Sequence, residues 1–307
     1  MRGETVMIQA SDVTVEFKRR LGRKKIRALD NFNLCVERGD FFALLGPNGA
    51  GKSTAMYCFL GLIQPERGSI SVLGERPQMG SPQFERIAYL PEEPHYHLYL
   101  TVEEAVRYYG SLYKEEIPES KVGEVIERVG LSEFRDLQLS KCSKGMKQKA
   151  GIAVCMLKEC DLLFMDEPTR GLDPIMAKEF RDILMETNRG GTTIVINSHI
   201  LSEVEMVSNH VAFMDHGQVI VQDELKSLMR VEREHYRVEF DACETVPAFI
   251  AVESKAGGMI KGSIPAEKLS DFFSFTRERG LAVFECSLKR MTLEEIFFDV
   301  LNRGKRQ

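Results

Sequence analysis

A chain of 307 residues with 43% hydrophobic and 28% charged content has room for one large core plus a smaller appendage, in the balance of an ordinary globular protein. No segment reaches the ~18 consecutive apolar residues of a membrane span, and the amino terminus lacks the apolar stretch of a secretory signal. The seven cysteines contain no C-x-x-C pair, which argues against a disulfide framework or a zinc site and for a reducing compartment.

In chain order, Val13, Val15 and Phe17 alternate with Thr14 and Glu16, predicting a half-buried strand over 12–17. The net charge of −5 is unevenly spread, because residues 18–27 (KRRLGRKKIR) carry seven basic side chains and no acid. That run reads as the solvated tip of an antiparallel hairpin or as a contact for anionic lipid or nucleotide phosphate. Nothing beside it resembles a nucleic-acid module. Ala28–Val36 is the returning strand. Phe41–Leu45 is a continuous apolar run, as expected of a strand covered on both faces. A glycine-rich loop follows, then a helix from about Lys52.

A mostly helical insert is predicted over about 92–145. Thr101 and Glu104 form a T-x-x-E capping box for a helix through about Tyr113. Pro118 opens a second helix with Val122, Val125, Ile126 and Val129 on one face. Leu162–Met165 and Thr193–Ile196 are again short buried strands, separated by a helix over about Pro174–Asn188. Strands alternating with helices indicate a parallel sheet with helices on both faces. Composition changes after Arg230, dividing the chain into residues 1–230 and a small α/β appendage over 231–307. Strands are predicted there near Tyr236–Phe240 and Leu281–Phe284, with helices near Pro265–Arg279 and Thr292–Asn302.

Three motifs carry chemistry. Gly46-Pro47-Asn48-Gly49-Ala50-Gly51-Lys52-Ser53-Thr54 satisfies G-x-x-x-x-G-K-[ST] between a buried strand and a helix. The glycines let successive N–H groups turn toward phosphate oxygens, and the helix start adds a positive dipole end. Lys52 then supplies charge to the β- and γ-phosphates, and the Ser53 hydroxyl is a Mg²⁺ ligand. In LLFMDEP, Asp166 and Glu167 end a buried strand, which assigns Asp166 to Mg²⁺ and Glu167 to the general base that activates water. His199, after the strand ending Ile196-Asn-Ser, is expected on the same sheet edge, within reach of a γ-phosphate.

Together GPNGAGKST, SKGMKQK, LLFMDEPTRGLD and INSH resemble the nucleotide-binding subunit of an ABC transporter over about residues 6–225. The prokaryotic drug- and antibiotic-exporter type is the most similar, through YLPEEP, SKGM and an ending like TLEEIFFDVL. This implies a P-loop NTPase core that binds ATP and Mg²⁺ and works at the cytoplasmic face of the membrane. It further implies a homodimer or paired ATPase subunit, a separate integral-membrane permease, and no nucleic-acid partner. By the same resemblance Phe17 stacks on adenine and Asp173 signals between paired subunits. Glu92 stands where many relatives place a glutamine that touches Mg²⁺ and senses the permease. Ser143, Lys144, Gly145 and Met146 form the signature turn that completes the ATP site of the opposite subunit, with Lys144 and Met146 departing from the usual Ser-Gly-Gly-Gln. From the residues alone, Ser143 is a helix cap.

His95, Tyr96, His97 and Tyr99 read as the lining of a groove for a permease helix, in preference to a metal site. The rival class is a soluble ABC-type ATPase acting in regulation or on ribosomes or DNA. One phosphate loop and a short insert weigh against it, since ribosome-acting relatives usually carry two such loops and DNA-repair relatives insert long coiled coils.

Overall fold

The computed structural model describes residues 6–18, 25–229, 231–290 and 292–304. Most of the basic tip, residues 19–24, lies outside the described residues. The chain divides into two compact units, one reaching to Leu225 and the other covering Lys226–Asn302.

The first unit begins with β1 (Val6–Lys18), β2 (Lys25–Glu37), β3 (Phe41–Leu45), α1 (Lys52–Phe59), β4 (Arg67–Val72) and β5 (Ile87–Leu90). The insert supplies α2 (Val102–Gly110), α3 (Glu119–Arg128) and α4 (Lys144–Cys155). There follow β6 (Leu162–Asp166), α5 (Pro174–Arg189), β7 (Thr193–Ser198), α6 (Leu201–Val207), β8 (His210–Asp215) and β9 (Gln218–Glu224). A single helical turn, α7 (Leu225–Leu228), spans the division.

Two sheets enclose α1. The antiparallel sheet has the order β2-β1-β4; the larger has the order β5-β6-β7-β3-β8-β9, parallel except for β9. Phe59 of α1 packs between them, with ring centroids 6.2 Å from Phe32 of β2 and 6.1 Å from Phe164 of β6. The phosphate-loop helix is thus fixed by apolar burial on both sides, while its amino end stays at the sheet edge.

The insert forms as the sequence predicts, with two adjustments. Thr101 and Glu104 make both bonds of the capping box, but α2 stops at Gly110 rather than Tyr113. Pro118 is the N-cap, and α3 buries Val122, Val125 and Ile126.

The second unit contains β10 (Val231–Asp241), β11 (Ala251–Ala256), β12 (Met259–Pro265), α8 (Leu269–Glu278) and β13 (Val283–Arg290), and α9 (Leu293–Gly304) begins in it. Its antiparallel sheet has the order β11-β12-β10-β13 around Val238, Phe240, Ile260, Ile264 and Phe272. Among the described residues, no helix is long and apolar enough to cross a membrane.

Candidate functional site

The glycines at either end of the loop after β3 have no room for a side chain. A Cβ on Gly46 would lie 2.4 Å from the carbonyl oxygen of Met214. Gly51 has φ 103°, and its Cβ would meet the Ala28 carbonyl at 2.5 Å. Pro47, Asn48 and Gly49 form the exposed rim, Ala50 is buried, and Ser53 is exposed in the first turn of α1 beside half-buried Thr54. Lys52 is buried, and its Nζ donates to the carbonyls of Gly46 at 2.7 Å and Pro47 at 3.2 Å. Burial lowers its pKa, opposed by the negative charges of Glu167 and Asp166. The ammonium therefore lies inside the loop, held by neutral acceptors that a phosphate can replace.

Three parallel strands end level beside it. In register, Leu45 of β3 faces Ser198 of β7, and Asp166 of β6 faces Asn197 of β7. Asp166 accepts from Asn197 Nδ2 at 3.2 Å through Oδ1. Glu167 sits at φ 47°, a left-handed conformation that costs a non-glycine residue about 1–3 kcal/mol. Its backbone N–H donates to Asn197 O at 2.9 Å, and its Oε2 receives both the N–H of His199 (3.4 Å) and the ring nitrogen Nδ1 (2.7 Å). The surroundings over-determine the strained turn and aim a buried carboxylate out of the strand end. Its histidine partner is 44% exposed.

Phe17 is also exposed, at 43%. It pairs with Ile26 on β2, two residues before Ala28, whose carbonyl crowds Gly51. The hairpin end therefore carries an exposed aromatic paired with the strand that abuts the phosphate loop.

The signature turn lies with other segments. Ser143 caps α4, its Oγ accepting from Met146 N at 3.2 Å, while half-buried Lys144 flanks Gly171. Gly145 is buried, and a Cβ there would come 2.6 Å from Cε of Met176 on α5. Asp173 caps α5 by accepting from Ile175 N and Met176 N at 3.1 and 3.0 Å. Glu92, expected to serve coupling and the metal, pairs with the loop after Glu167. Its Oε1 accepts from Arg170 Nη1 at 2.7 Å, which commits one oxygen to an ion pair. Opposite charges brought together by two adjoining loops account for the pairing.

After Glu92 comes an aromatic cluster. His97 lies 5.4–6.3 Å from the rings of Tyr99, Tyr108 and Tyr109, and Tyr99 is 69% exposed. Tyr96 is turned inward, with its hydroxyl so close to Gly151 that a Cβ there would be 2.4 Å away. Its hydroxyl thus points into the interior, while the residue as a whole is half-buried.

With this geometry in view, the likeness to known proteins has a physical footing. The ABC transporter family model matches residues 29–170. The bacitracin transport ATP-binding protein BcrA of Bacillus licheniformis is 30% identical over 98% of this chain and 99% of its own. The chain belongs to the ABC transporter ATP-binding family. A fluoroquinolones export ATP-binding protein of Mycobacterium tuberculosis is 29% identical to this ABC ATPase over 90% of the chain and 88% of its own. The dimeric cassette MJ0796 with ADP and Pi, at 22% identity, shares the fold with a TM-score of 0.63 over 72% of this chain and 99% of that one. The ABC ATPase is accordingly an ATP-binding, ATP-hydrolysing subunit of a transporter. Cassettes of this family form dimers in solved structures.

Two residues of the ABC ATPase site were not singled out by sequence reasoning. Asn197 was visible in INSH but silent until the register set it against Asp166. Arg170 was visible in PTRGLD, and only the fold brings it to Glu92.

Proposed function

We propose that the chain is a Mg²⁺-dependent ATPase that works as one of a pair at the cytoplasmic face of the membrane, driving a separate permease in export. The observation that carries this reading is the contact of Glu167 with His199 at the level strand ends beside Lys52. The export direction rests on the printed roles of the fluoroquinolone and bacitracin relatives.

Adenine stacks on Phe17. The loop Gly46–Thr54 takes the phosphates through its backbone N–H groups, which Pro47 alone lacks, and Lys52 exchanges the carbonyls of Gly46 and Pro47 for charged oxygens. Ser53 and Asp166 would hold Mg²⁺. They fit it, because this ion needs only one or two protein oxygens besides the phosphates, and Asn197 leaves Oδ2 of Asp166 available. When bound, the ion supplies neutralisation of phosphate charge.

Glu167 takes the proton of the attacking water, and His199 steadies that carboxylate while its second ring nitrogen faces the γ-phosphate. Ser143–Met146 of a second copy close the site over the attacking water and exclude bulk solvent, with Asp173 in the dimer contact. Glu92 serves coupling, and its second oxygen is the one able to reach the metal. Residues 92–99 with Tyr108 form the permease-facing surface. Residues 231–307 are an accessory domain, and no nucleic acid enters this reading.

Glu167→Gln tests it. The variant is expected to keep ATP binding, lose turnover by about 10²–10⁴-fold, and accumulate an ATP-bound dimer detectable by light scattering. Turnover at the wild-type rate would sink the base assignment. Copurification from detergent-solubilised membranes with the permease tests the partner.

A further inference from the structure

We infer that Arg170 is a positioning residue of the hydrolytic site, holding the loop between Glu167 and Asp173 in place through its ion pair with Glu92. This rests on Glu167 being the base.

The loop is short and tied within the core at several points. Arg170 N donates to Glu167 O at 3.1 Å, and Leu172 N donates to Thr169 O at 3.1 Å. Thr169 Oγ1 bonds the carboxylate of Glu203. The Asp173 side chain ends the loop by capping α5. Arg170 reaches outward instead. Among the described residues its acid partner is Glu92, on the segment after β5, at 2.7 Å. The backbone carbonyl of Glu92 in turn accepts from Nε2 of Gln148 at 2.7 Å, and Gln148 lies on α4, behind the signature turn, with 1% exposure.

Arg170 and Glu92 together thus link three segments: the loop carrying the base, the loop after β5, and, through the Glu92 carbonyl, the signature helix. The pair itself is half-exposed, so it adds little to global stability. Its effect is geometric. Arg170 is bonded through its backbone to Glu167, whose left-handed turn tolerates little displacement. Any shift of α4 against the sheet pulls on Glu92 through Gln148, and on the base through Arg170. With the ion pair gone, the carboxylate of Glu167 loses alignment toward water, while the phosphate loop is untouched.

The test is a double-mutant cycle on steady-state ATP hydrolysis with Arg170→Gln, Glu92→Gln and the double variant, with Arg170→Lys beside it. Each glutamine variant is expected to lower kcat about tenfold, with the KM for ATP within about twofold of wild type. The double variant is expected to lower kcat no further than the worse single. Arg170→Lys, which keeps the charge but loses the planar fork, is expected to recover part of the loss. Melting midpoints equal to wild type are expected throughout. A wild-type kcat in Arg170→Gln overturns the inference, as does an additive loss of about a hundredfold in the double variant. So does a loss that follows a fall in melting midpoint. Glu167→Gln is run in parallel: if it turns over normally the base assignment fails, whereas a normal Arg170→Gln beside an inactive Glu167→Gln rejects the positioning role alone.

Discussion

Nδ1 of His199 lies 2.7 Å from Oε2 of Glu167, and the backbone N–H of the same histidine points at that oxygen from 3.4 Å. A carboxylate only accepts, so Nδ1 carries the proton of this bond. Nε2 then faces outward, and it donates to a phosphate only when the imidazole holds both protons. Otherwise the phosphate and Glu167 compete for one proton. On the proposed function, the histidine thus orients Glu167 before it contacts any phosphate.

His199→Ala is therefore expected to lower kcat by about 10²-fold while leaving the dissociation constant for ATP close to wild type. Nucleotide titration and single-turnover hydrolysis measure the two separately. A large loss of ATP affinity with unchanged chemistry would place the histidine in ground-state binding instead.

Buried Cys58 and Cys155 and half-buried Cys160 make the fold sensitive to alkali. Burial raises the pKa of Cys58 and Cys155 to about 12 and that of Cys160 to about 11, above the ordinary thiol value. Above pH ~9 the unfolded chain releases protons that the folded chain retains, so stability falls as pH rises toward the folded values. The expected loss is of order 1.4 kcal/mol per pH unit for each thiol that stays neutral. Urea midpoints at pH 8, 9 and 10 should fall steadily, and Cys155→Ala should flatten that slope.

The strands that bear the chemistry were legible because each combines a continuous apolar run with a polar or glycine-rich exit, as at Leu45 and Asp166. Burial on both faces forces that pattern. The β11–β12 hairpin was missed although Gly257 and Gly258, at φ 58° and 77°, are the two-residue turn that joins it. β11 is an exposed edge with no apolar alternation to announce it. The β8–β9 hairpin, joined by the two-residue turn His216-Gly217 at φ 45° and 81°, was missed as well. The pairing of Glu92 with Arg170 was not legible at all. The two residues are 78 positions apart, and only the strand order brings their loops together.

The surface after Glu92 gives a separable test of partner docking. Leu98 and Tyr99 are 50% and 69% exposed, while the rings behind them are packed on one another. Large exposed side chains on a rigid base suit an interface anchor. Leu98→Ser with Tyr99→Ser should abolish copurification with the permease and leave ATP binding and the melting midpoint unchanged. Undiminished copurification would move the docking surface elsewhere.

Gly145 decides whether the signature turn is more than a helix start. A Cβ at this position meets Cε of Met176 at 2.6 Å and its Cβ and Cγ at 3.4 Å, so any side chain must displace the flexible end of that methionine. An aspartate also places negative charge in the first turn of α4, which the helix dipole favours and which contains no acid of its own. Gly145→Asp should therefore fold, while its charge repels the phosphate of a nucleotide held by a second copy. In the Glu167→Gln background it is expected to abolish the ATP-dependent dimer seen by light scattering and leave monomer ATP binding within about twofold. Gly145→Ala introduces the displacement without the charge, and its dimer should be weakened rather than lost. If Gly145→Asp dimerised normally, Ser143 and its neighbours would be only the cap of α4.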